Sequence, residues 1–348
     1  MMPFVHQAWY VAALSGEVTD KPLARTLLDI PMVLFRQSSG AVNALLDMCT
    51  HRFAPLSAGV LRNDNLQCPY HGLEFDGSGR CVRNPHGNHA TPIALNVRAF
   101  KIVEQFGLIW IWPGDNDSAD ANTIPNISSR AEANRRTQDG YSHIECNYRL
   151  LIDNLMDPGH AQYVHKQSAE SDAFDRLETQ VVVQNGEIHG LRKYPDGKPT
   201  PVAAWFMETV PERIDTWVEN RWMPVSVILN FIGVGAAGSL KENSANMYNM
   251  HAITPETETS CHYFYGHSRN FALQSPKMDA ALRSWQAQAL DMEDRQIVEA
   301  VQRRLAFAQR VGLRPALLAC DEAAARVARV IDRLESANIA APLEETTA

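Results

Sequence analysis

The chain has 348 residues, which exceeds the usual size of one domain, so we expect two domains that each bury a core. Its formal net charge is −8 at pH 7 and no run of Lys or Arg stands out, which argues against a nucleic-acid or anionic-membrane partner. The sequence shows no signal peptide and no stretch of 18 consecutive apolar residues. We therefore expect a soluble, cytoplasmic protein with no segment in the membrane.

Residues 1–115 predict an all-β domain, because short strand-like runs alternate with turn signals along this part of the chain. Residues 31–36 and 42–46 flank a Ser-Ser-Gly turn, which predicts a β-hairpin. The run Leu-Ile-Trp-Ile-Trp at 108–112 predicts a buried strand. We expect the loops between these strands to carry function on a rigid scaffold.

The segment 116–134 is rich in Asn, Asp, Ser and Pro and predicts a linker to a second domain over 135–341. Strand-like runs and then helical patterns predict an α+β domain, in which helices cover an antiparallel sheet. The predicted strands lie at 181–183, 217–221, 225–232 and 262–265, and the predicted helical stretches at 276–310 and 321–334. Residues 342–348 form a polar tail.

Two short clusters of Cys and His carry the clearest chemical signal: Cys49 with His51, and Cys68 with His71. This C-x-H…C-x-x-H arrangement suits a Rieske [2Fe–2S] cluster, in which two Cys hold one iron and two His hold the other. Tetrahedral zinc also takes two Cys and two His, but the usual zinc finger pairs Cys with Cys and His with His along the chain. The alternation favours the Rieske cluster. The four other cysteines are scattered, and we expect them to be buried reduced thiols.

His160 and His165 form a second candidate metal site. On a regular α-helix this spacing turns the two side chains about 140° apart, which is too far for an easy shared ligand face. Asp157 and Pro158 are typical of a helix start, with Asp157 as the cap. An irregular start would turn both imidazoles toward one ion. A one-electron donor needs an acceptor, so the upstream Rieske motif favours a second iron here over two unrelated histidines.

Such an iron needs a third ligand, and two His with one carboxylate is the usual set for non-haem Fe(II) that activates oxygen. The helical stretch offers Asp291, Glu293 and Asp294. At 100° per residue, Asp294 falls in the middle of an apolar stripe, where an acid is costly unless it is paired or bound to metal. We therefore choose Asp294 and expect Asp291 and Glu293 to be solvated. A salt-bridged core Asp294 is the alternative.

Together these residues resemble the oxygenase component of the Rieske non-haem iron monooxygenases, in the vanillate O-demethylase and dicamba monooxygenase branch. The resemblance covers nearly the whole chain. Its matching segments are 8–12, 51–57, 68–74, 153–157, 160–165, 268–271 and 283–286. These motifs are specific to the family, but they do not fix the substrate.

The resemblance implies a homotrimer, in which each Rieske cluster delivers electrons to the iron of the neighbouring subunit. Asp157 matches the acid that bridges a Rieske histidine, His71, to an iron-ligand histidine, His160, across that interface. Asn154 matches a residue close to the iron. Around a substrate carboxylate, the dicamba-type enzymes place an Asn, a His and a Trp, which correspond here to Asn230, His251 and Trp285.

Two positions depart from what the resemblance implies. Pro158 follows Asp157, where relatives usually have Leu or Thr, so the local helix geometry is expected to differ. Trp285 precedes Asp294 by nine residues, which on one straight helix places the two side chains about 180° apart. Either the helix is broken between them or Trp285 packs elsewhere. Ordinary structural roles for Trp285, Asn230 and His251 also stay open.

The predicted function is O-demethylation of a vanillate-like methoxybenzoate with O₂. Hydroxylation of the methyl group gives a hemiacetal that collapses to a phenol and formaldehyde. Electrons from NAD(P)H are expected through a separate reductase or ferredoxin, since the chain has no G-x-G-x-x-G motif. The alternatives are hydroxylation of a ring or of a methyl group, N-demethylation, and a Rieske electron carrier without its own catalysis.

Overall fold

The computed structural model describes residues 4–165 and 172–339. The described chain divides into two compact units: Phe4–Ile124 with Thr254–Thr257, and Pro125–Ile253 with the residues from Glu258 on. The predicted polar tail, residues 342–348, lies outside the described residues. Within the described chain, no helix is long and apolar enough to cross a membrane.

The first unit consists of two antiparallel sheets, which confirms the predicted all-β domain. The six-stranded sheet has the order β1-β10-β9-β4-β3-β2, and the four-stranded sheet has the order β5-β6-β7-β8. The strands are β1 (Tyr10–Leu14), β2 (Leu23–Leu27), β3 (Ile30–Arg36), β4 (Val42–Leu46), β5 (Val60–Arg62), β6 (Asn65–Gln67), β7 (Glu74–Phe75), β8 (Cys81–Arg83), β9 (Ala99–Gln105) and β10 (Leu108–Trp112).

Two strand predictions in this unit are confirmed. Strands β3 and β4 form the expected hairpin, with Arg36 opposite Val42 next to the turn. All five residues of β10 are buried, and the strand is paired with β1 on one side and β9 on the other. A run of large apolar side chains with no polar alternation is typical of such an enclosed position.

The segment 116–134, which was expected to be a linker, contains short helical turns and buried residues. It contains three short 3₁₀ turns, Asn116–Ser118, Ala121–Thr123 and Ser128–Ala131. Ile127 and Arg130 in it are buried. The division between the two units falls inside this segment, after Ile124.

The second unit contains a seven-stranded antiparallel sheet and helices, as the α+β prediction requires. Its strand order is β11-β17-β16-β15-β14-β13-β12. The strands are β11 (Arg136–Ile144), β12 (Glu178–Gln184), β13 (Glu187–Gly197), β14 (Ile214–Met223), β15 (Val227–Ala236), β16 (Ala245–Thr257) and β17 (Ser260–Arg269). The described helices are α1 (Tyr148–Met156), α2 (Ala161–Val164), α3 (Pro276–Gln286), α4 (Arg295–Arg310) and α5 (Glu322–Ile339).

Strands β11 and β13 were not predicted. Their sequences contain Gly and several charged residues, which strands usually avoid. They are strands because long neighbours pair with them, as β17 does with β11 and β14 does with β13. Tertiary pairing here overrides local propensity.

The stretch 276–310 is not one regular helix. Between α3 and α4, Ala287–Asp294 forms a π-helical segment, in which each N–H bonds to the carbonyl five residues earlier. Ser275 caps the start of α3 by accepting from the Met278 N–H, and Pro276 takes its first turn. The π-helical segment changes the direction in which every following side chain points.

Three of the four remaining cysteines, Cys81, Cys146 and Cys261, are buried and form no disulfide, as expected. Cys320 is exposed, so the expectation is wrong for this residue. It lies in a short 3₁₀ turn, Ala319–Asp321, that precedes α5.

Candidate functional site

Two loops with the same construction carry the Cys/His clusters of the first unit. In each loop the Cys N–H donates to a carbonyl five residues later: Cys49 to Ala54 at 2.9 Å, and Cys68 to Leu73 at 2.8 Å. In each, the residue four positions on returns a hydrogen bond to the Cys carbonyl and has a positive φ. These residues are Phe53 and Gly72. The sequence therefore folds both clusters into matching tight knuckles.

The cysteines of these knuckles point inward and the histidines outward. Cys49 and Cys68 belong to a buried apolar cluster, whereas His51 is exposed and His71 is half-buried. The two imidazole rings lie beside each other, with centroids 4.3 Å apart. Burial raises the pKa of the Cys49 thiol to about 11, so binding of a metal there must displace a proton.

The four residues do not converge on one point, as a single zinc ion requires. Within the described chain, ligand atoms from three or more His, Cys, Asp or Glu residues come within 4.8 Å of one another in two groups only, and neither group includes these residues. Two separate pairs, one of sulfur and one of nitrogen, fit a two-iron cluster with a different ligand pair on each iron.

His160, His165 and Asp294 form one of these two groups, so the structure brings together the three residues chosen for the second metal. Asp294 Oδ1 lies 3.4 Å from His160 Nε2 and 3.3 Å from His165 Nε2. Burial by itself raises the pKa of Asp294, but the two imidazoles outweigh it and hold that pKa at about 2. A buried carboxylate, ionised between two imidazole nitrogens, has the composition of a non-haem iron site.

Each of these histidines is held through its other ring nitrogen. His160 Nδ1 lies 2.5 Å from the Asp157 carbonyl oxygen, and His165 Nδ1 lies 2.7 Å from Glu293 Oε2. Both partners accept hydrogen bonds, so each Nδ1 carries a proton. A proton on Nε2 bonds Asp294, and a bound metal would take the place of that proton. Asn154 adds a further contact, with its Nδ2 3.4 Å from Asp294 Oδ1.

The expectation that Asp291 and Glu293 are solvated is wrong. Glu293 is partly buried against His165, and Asp291 accepts hydrogen bonds from Ser142 and Tyr265. The expectation assumed 100° per residue, which does not hold through the π-helical segment. The same segment interrupts the regular helix between Trp285 and Asp294, which was one of the two alternatives for Trp285. Both residues therefore line one cavity.

Asp157 ends α1 and begins the next turn, as its sequence position predicted. Its side chain accepts from the Gly159 N–H at 2.9 Å, and Pro158 occupies the first position of the 3₁₀ turn Pro158–His160. Arg192 Nη2 binds the same carboxylate oxygen at 2.9 Å. This irregular start aims His160 and His165 at one point despite their spacing of five.

A cavity of about 230 Å³ opens beside the three metal-site residues. An engineered protein cavity of about 150 Å³ holds benzene, so this one has room for a single substituted ring. Its walls are mainly apolar, and all three predicted substrate residues, Asn230, His251 and Trp285, line it. Sequence reasoning missed Asn220, Asn249 and Gln286, which also line it.

The polar groups of this cavity differ in what they offer a ligand. Burial lowers the pKa of His251 to about 4, so its imidazole is neutral, and its Nδ1 lies 2.6 Å from the Tyr263 hydroxyl. Trp285 Nε1 is a buried donor with no partner among the described residues. The Asn230 amide is already bonded on both sides, to Asn220 and to Asn249.

Comparison with known families gives two matches along the chain. Residues 8–101 match the Rieske [2Fe–2S] domain, and residues 144–337 match the vanillate O-demethylase oxygenase C-terminal domain. The second match alone spans more than half of the chain. The chain belongs to the vanillate O-demethylase family of Rieske non-haem iron oxygenases.

Individual members of this family match over nearly their full length. The dicamba O-demethylase oxygenase component of Stenotrophomonas maltophilia is 57% identical over 96% of this chain and 98% of its own. Dicamba monooxygenase bound to 3,6-dichlorosalicylic acid matches with a TM-score of 0.96 at 56% identity, over 97% of this chain and 100% of that chain. A structure of that enzyme with non-haem iron and dicamba has a TM-score of 0.89 at 53% identity, over 97% and 99%.

This Rieske oxygenase is therefore a monooxygenase with two cofactors, a [2Fe–2S] cluster and a mononuclear iron. The residues described above fit both groups by their donor chemistry. The cluster is offered two thiols and two imidazoles, and the iron is offered two imidazole nitrogens and one ionised carboxylate.

His71→Cys should change the Rieske cluster, since a third thiolate would replace an imidazole on the iron held by histidine. We expect either loss of the cluster or a visible spectrum and EPR signal closer to those of an all-cysteine cluster, with a lower reduction potential. His89→Cys, on an exposed histidine outside both knuckles, is the matched control. Unchanged absorption and EPR in the His71 variant would remove this assignment.

Asp294→Asn should take the mononuclear iron away while the Rieske signal stays, lowering the iron content from about three to about two atoms per chain. Glu293→Gln should weaken iron binding by roughly 10- to 100-fold, the scale seen when a carboxylate behind a metal-bound histidine is lost. Asp291→Asn is the control, because Asp291 bonds Ser142 and Tyr265 instead. Iron analysis and EPR measure all three, and iron loss in the Asp291 variant alone would show that the wrong acid was chosen.

Proposed function

We propose that this Rieske oxygenase O-demethylates a methoxybenzoate-like, vanillate-like aromatic acid and releases a phenol and formaldehyde. The observation that carries the proposal is a cavity the size of one ring, lined by the His160, His165 and Asp294 set together with two donors, His251 and Trp285. The similar dicamba enzyme is named an O-demethylase and binds 3,6-dichlorosalicylic acid, an aromatic acid with a free phenol. Both facts favour the same chemistry here.

His160, His165 and Asp294 are proposed to hold the iron, and Cys49, His51, Cys68 and His71 the Rieske cluster. When bound, the iron supplies O₂ activation with electrons from the cluster. The protein's part is positional. His160 and His165 are fixed through Nδ1, so that their Nε2 atoms face Asp294, and the mainly apolar walls keep water from a ring placed beside them.

The substrate carboxylate is proposed to meet His251 and Trp285. The described lining of the cavity contains no Lys or Arg, so only neutral donors are available to an anion there. When the Tyr263 hydroxyl donates to His251 Nδ1, the imidazole proton lies on Nε2 and can be donated to the ligand. The pKa of Tyr263 is raised well above its usual value by burial, which keeps that hydroxyl protonated.

The electrons are proposed to come from NAD(P)H through a separate reductase or ferredoxin, and to pass between subunits of a homotrimer. The relative's name, an oxygenase component, supports a separate electron donor. Asp157 is proposed to link His71 of one subunit to the iron site of the next, since it borders His160 and is one-fifth exposed. A cytoplasmic location is part of the proposal, and six free cysteines suit a reducing compartment.

Ring hydroxylation, methyl hydroxylation and N-demethylation would use the same iron site, so the reaction has to be settled by its products. A Rieske electron carrier would not need a buried carboxylate between two imidazoles. The second metal site therefore favours an enzyme over a carrier.

Aerobic turnover of a panel of methoxybenzoates with a surrogate reductase should release formaldehyde and the matching phenol in equal amounts. Binding of the best substrate should weaken by roughly 1–3 kcal/mol when its acid is converted to the methyl ester, since bonds to a charged group are lost. Calorimetry without oxygen measures that difference. A hydroxylated product without formaldehyde would contradict O-demethylation.

His251→Ala should remove most of the preference for acid over ester. His143→Ala is the matched control, because His143 is half-exposed on β11 and is not part of the described cavity lining. Equal binding of acid and ester by the unmodified protein would favour a neutral methoxyarene or an N-methyl substrate.

Mixing two inactive variants should test electron transfer between subunits. His71→Cys chains keep their iron site, and Asp294→Asn chains keep their Rieske cluster, so mixed trimers should regain part of the activity. Asp157→Asn mixed with Asp294→Asn should regain none. Asp157 lies beside His160 of its own chain, so the chain that keeps its iron has lost Asp157, and the chain that keeps Asp157 has lost its iron. Turnover after subunit exchange is the measurement, and no recovery in the first mixture would contradict the intersubunit route.

A further inference from the structure

Three asparagines form a hydrogen-bonded ladder across the sheet of the second unit. Asn220 of β14 pairs with Asn230 of β15, which pairs with Asn249 of β16. Asn249 Nδ2 donates to Asn230 Oδ1 at 2.9 Å, and Asn230 Nδ2 donates to Asn220 Oδ1 at 2.6 Å. All three line the cavity. Strand interiors usually avoid Asn, and burial of an amide is costly unless it is bonded, so this set calls for a function.

A backbone carbonyl fixes the direction of the ladder. Asn220 Nδ2 donates to the carbonyl oxygen of Leu155 in α1 at 2.9 Å. A carbonyl only accepts, so Asn220 must turn its amino group toward Leu155 and its oxygen toward Asn230. Asn230 must then turn its amino group toward the Asn220 oxygen, and Asn249 must turn its amino group toward the Asn230 oxygen. The group left at the end of the ladder is therefore an oxygen, Asn249 Oδ1.

This terminal oxygen lacks a donor. Asn249 is 4% exposed, and Oδ1 is buried with no hydrogen-bond partner among the residues that the structure describes. An acceptor left unpaired away from water is unfavourable until a donor reaches it. Asn249 lines the cavity beside the iron-site residues, so its side chain borders the space that a ligand would occupy.

We propose that Asn249 Oδ1 accepts a hydrogen bond from a hydroxyl group on the aromatic ring of the substrate. The inference rests on the proposed function and narrows its substrate class to methoxybenzoates that also carry a ring hydroxyl. An ionised carboxylate, a methoxy oxygen and a ring halogen have no proton to donate, so none of them pairs with this oxygen. The carboxylate instead meets the donors of His251 and Trp285. The ring is thereby oriented with its carboxylate toward these donors and its hydroxyl toward the Asn249 acceptor.

Matched pairs of ligands test this assignment. Each pair consists of a methoxybenzoate and the same acid with one added ring hydroxyl, and binding to the holoenzyme is measured by calorimetry without oxygen. In at least one pair the hydroxylated member should bind roughly fivefold more tightly, the scale of one neutral hydrogen bond. Asn249→Ala should reduce that ratio to within about twofold, with little change for the member without the hydroxyl.

Two further variants control for folding. Asn249→Gln keeps both an amino group for Asn230 Oδ1 and an acceptor oxygen and should keep part of the preference, and Asn246→Ala removes an amide from the same strand outside the described cavity lining. The visible Rieske spectrum reports that each variant is folded and loaded. Equal affinity within every pair, or a preference that survives Asn249→Ala, overturns the assignment. Formaldehyde release from members without the hydroxyl then shows that the proposed function still stands, whereas no binding or demethylation of any member overturns both.

Discussion

The geometry of the catalytic unit depends on one buried carboxylate. Asp294 is 2% exposed, and two imidazole nitrogens face it. Such a group is stable in a protein interior only when its charge is matched, so the surrounding elements must deliver both imidazoles to the same point. The turn after α1 delivers them from one side, and the π-helical segment delivers the carboxylate from the other. Either element in regular α-helical form would point its side chains elsewhere.

The two proposed metal sites share one feature: each proposed ligand is oriented by a group that is hydrogen-bonded to another part of the same residue. At the iron site, a backbone carbonyl and Glu293 hold the two Nδ1 atoms. At the Rieske site, backbone hydrogen bonds within each knuckle hold the cysteines. The ligand types come from the side chains, but their directions come from neighbours that ligand spacing alone does not reveal.

The sequence was most informative where chemistry depends on local spacing. The Cys/His clusters, the hairpin of β3 and β4, and the cap at Asp157 each involve residues close together in the chain. The sequence was least informative about Glu293 and Asp291, because their environment depends on a π-helical segment that residue periodicity does not signal. The apolar stripe used to select Asp294 is itself partly open to solvent, since Ile297 and Val301 on it are about half exposed. Asn220 and Asn249 were missed for a related reason: they face Asn230 only through the register of three strands.

The backbone hydrogen bonds within each of the two knuckles have a consequence for the rate of electron transfer. Each loop is fastened within six residues, so adding or removing one electron at the cluster leaves little freedom for its cage to rearrange. A stiff cage keeps the nuclear rearrangement that accompanies each transfer small. Since the cysteines face the core and the imidazole edges face outward, an electron on the cluster that these residues are proposed to hold would leave by a short route through the histidines.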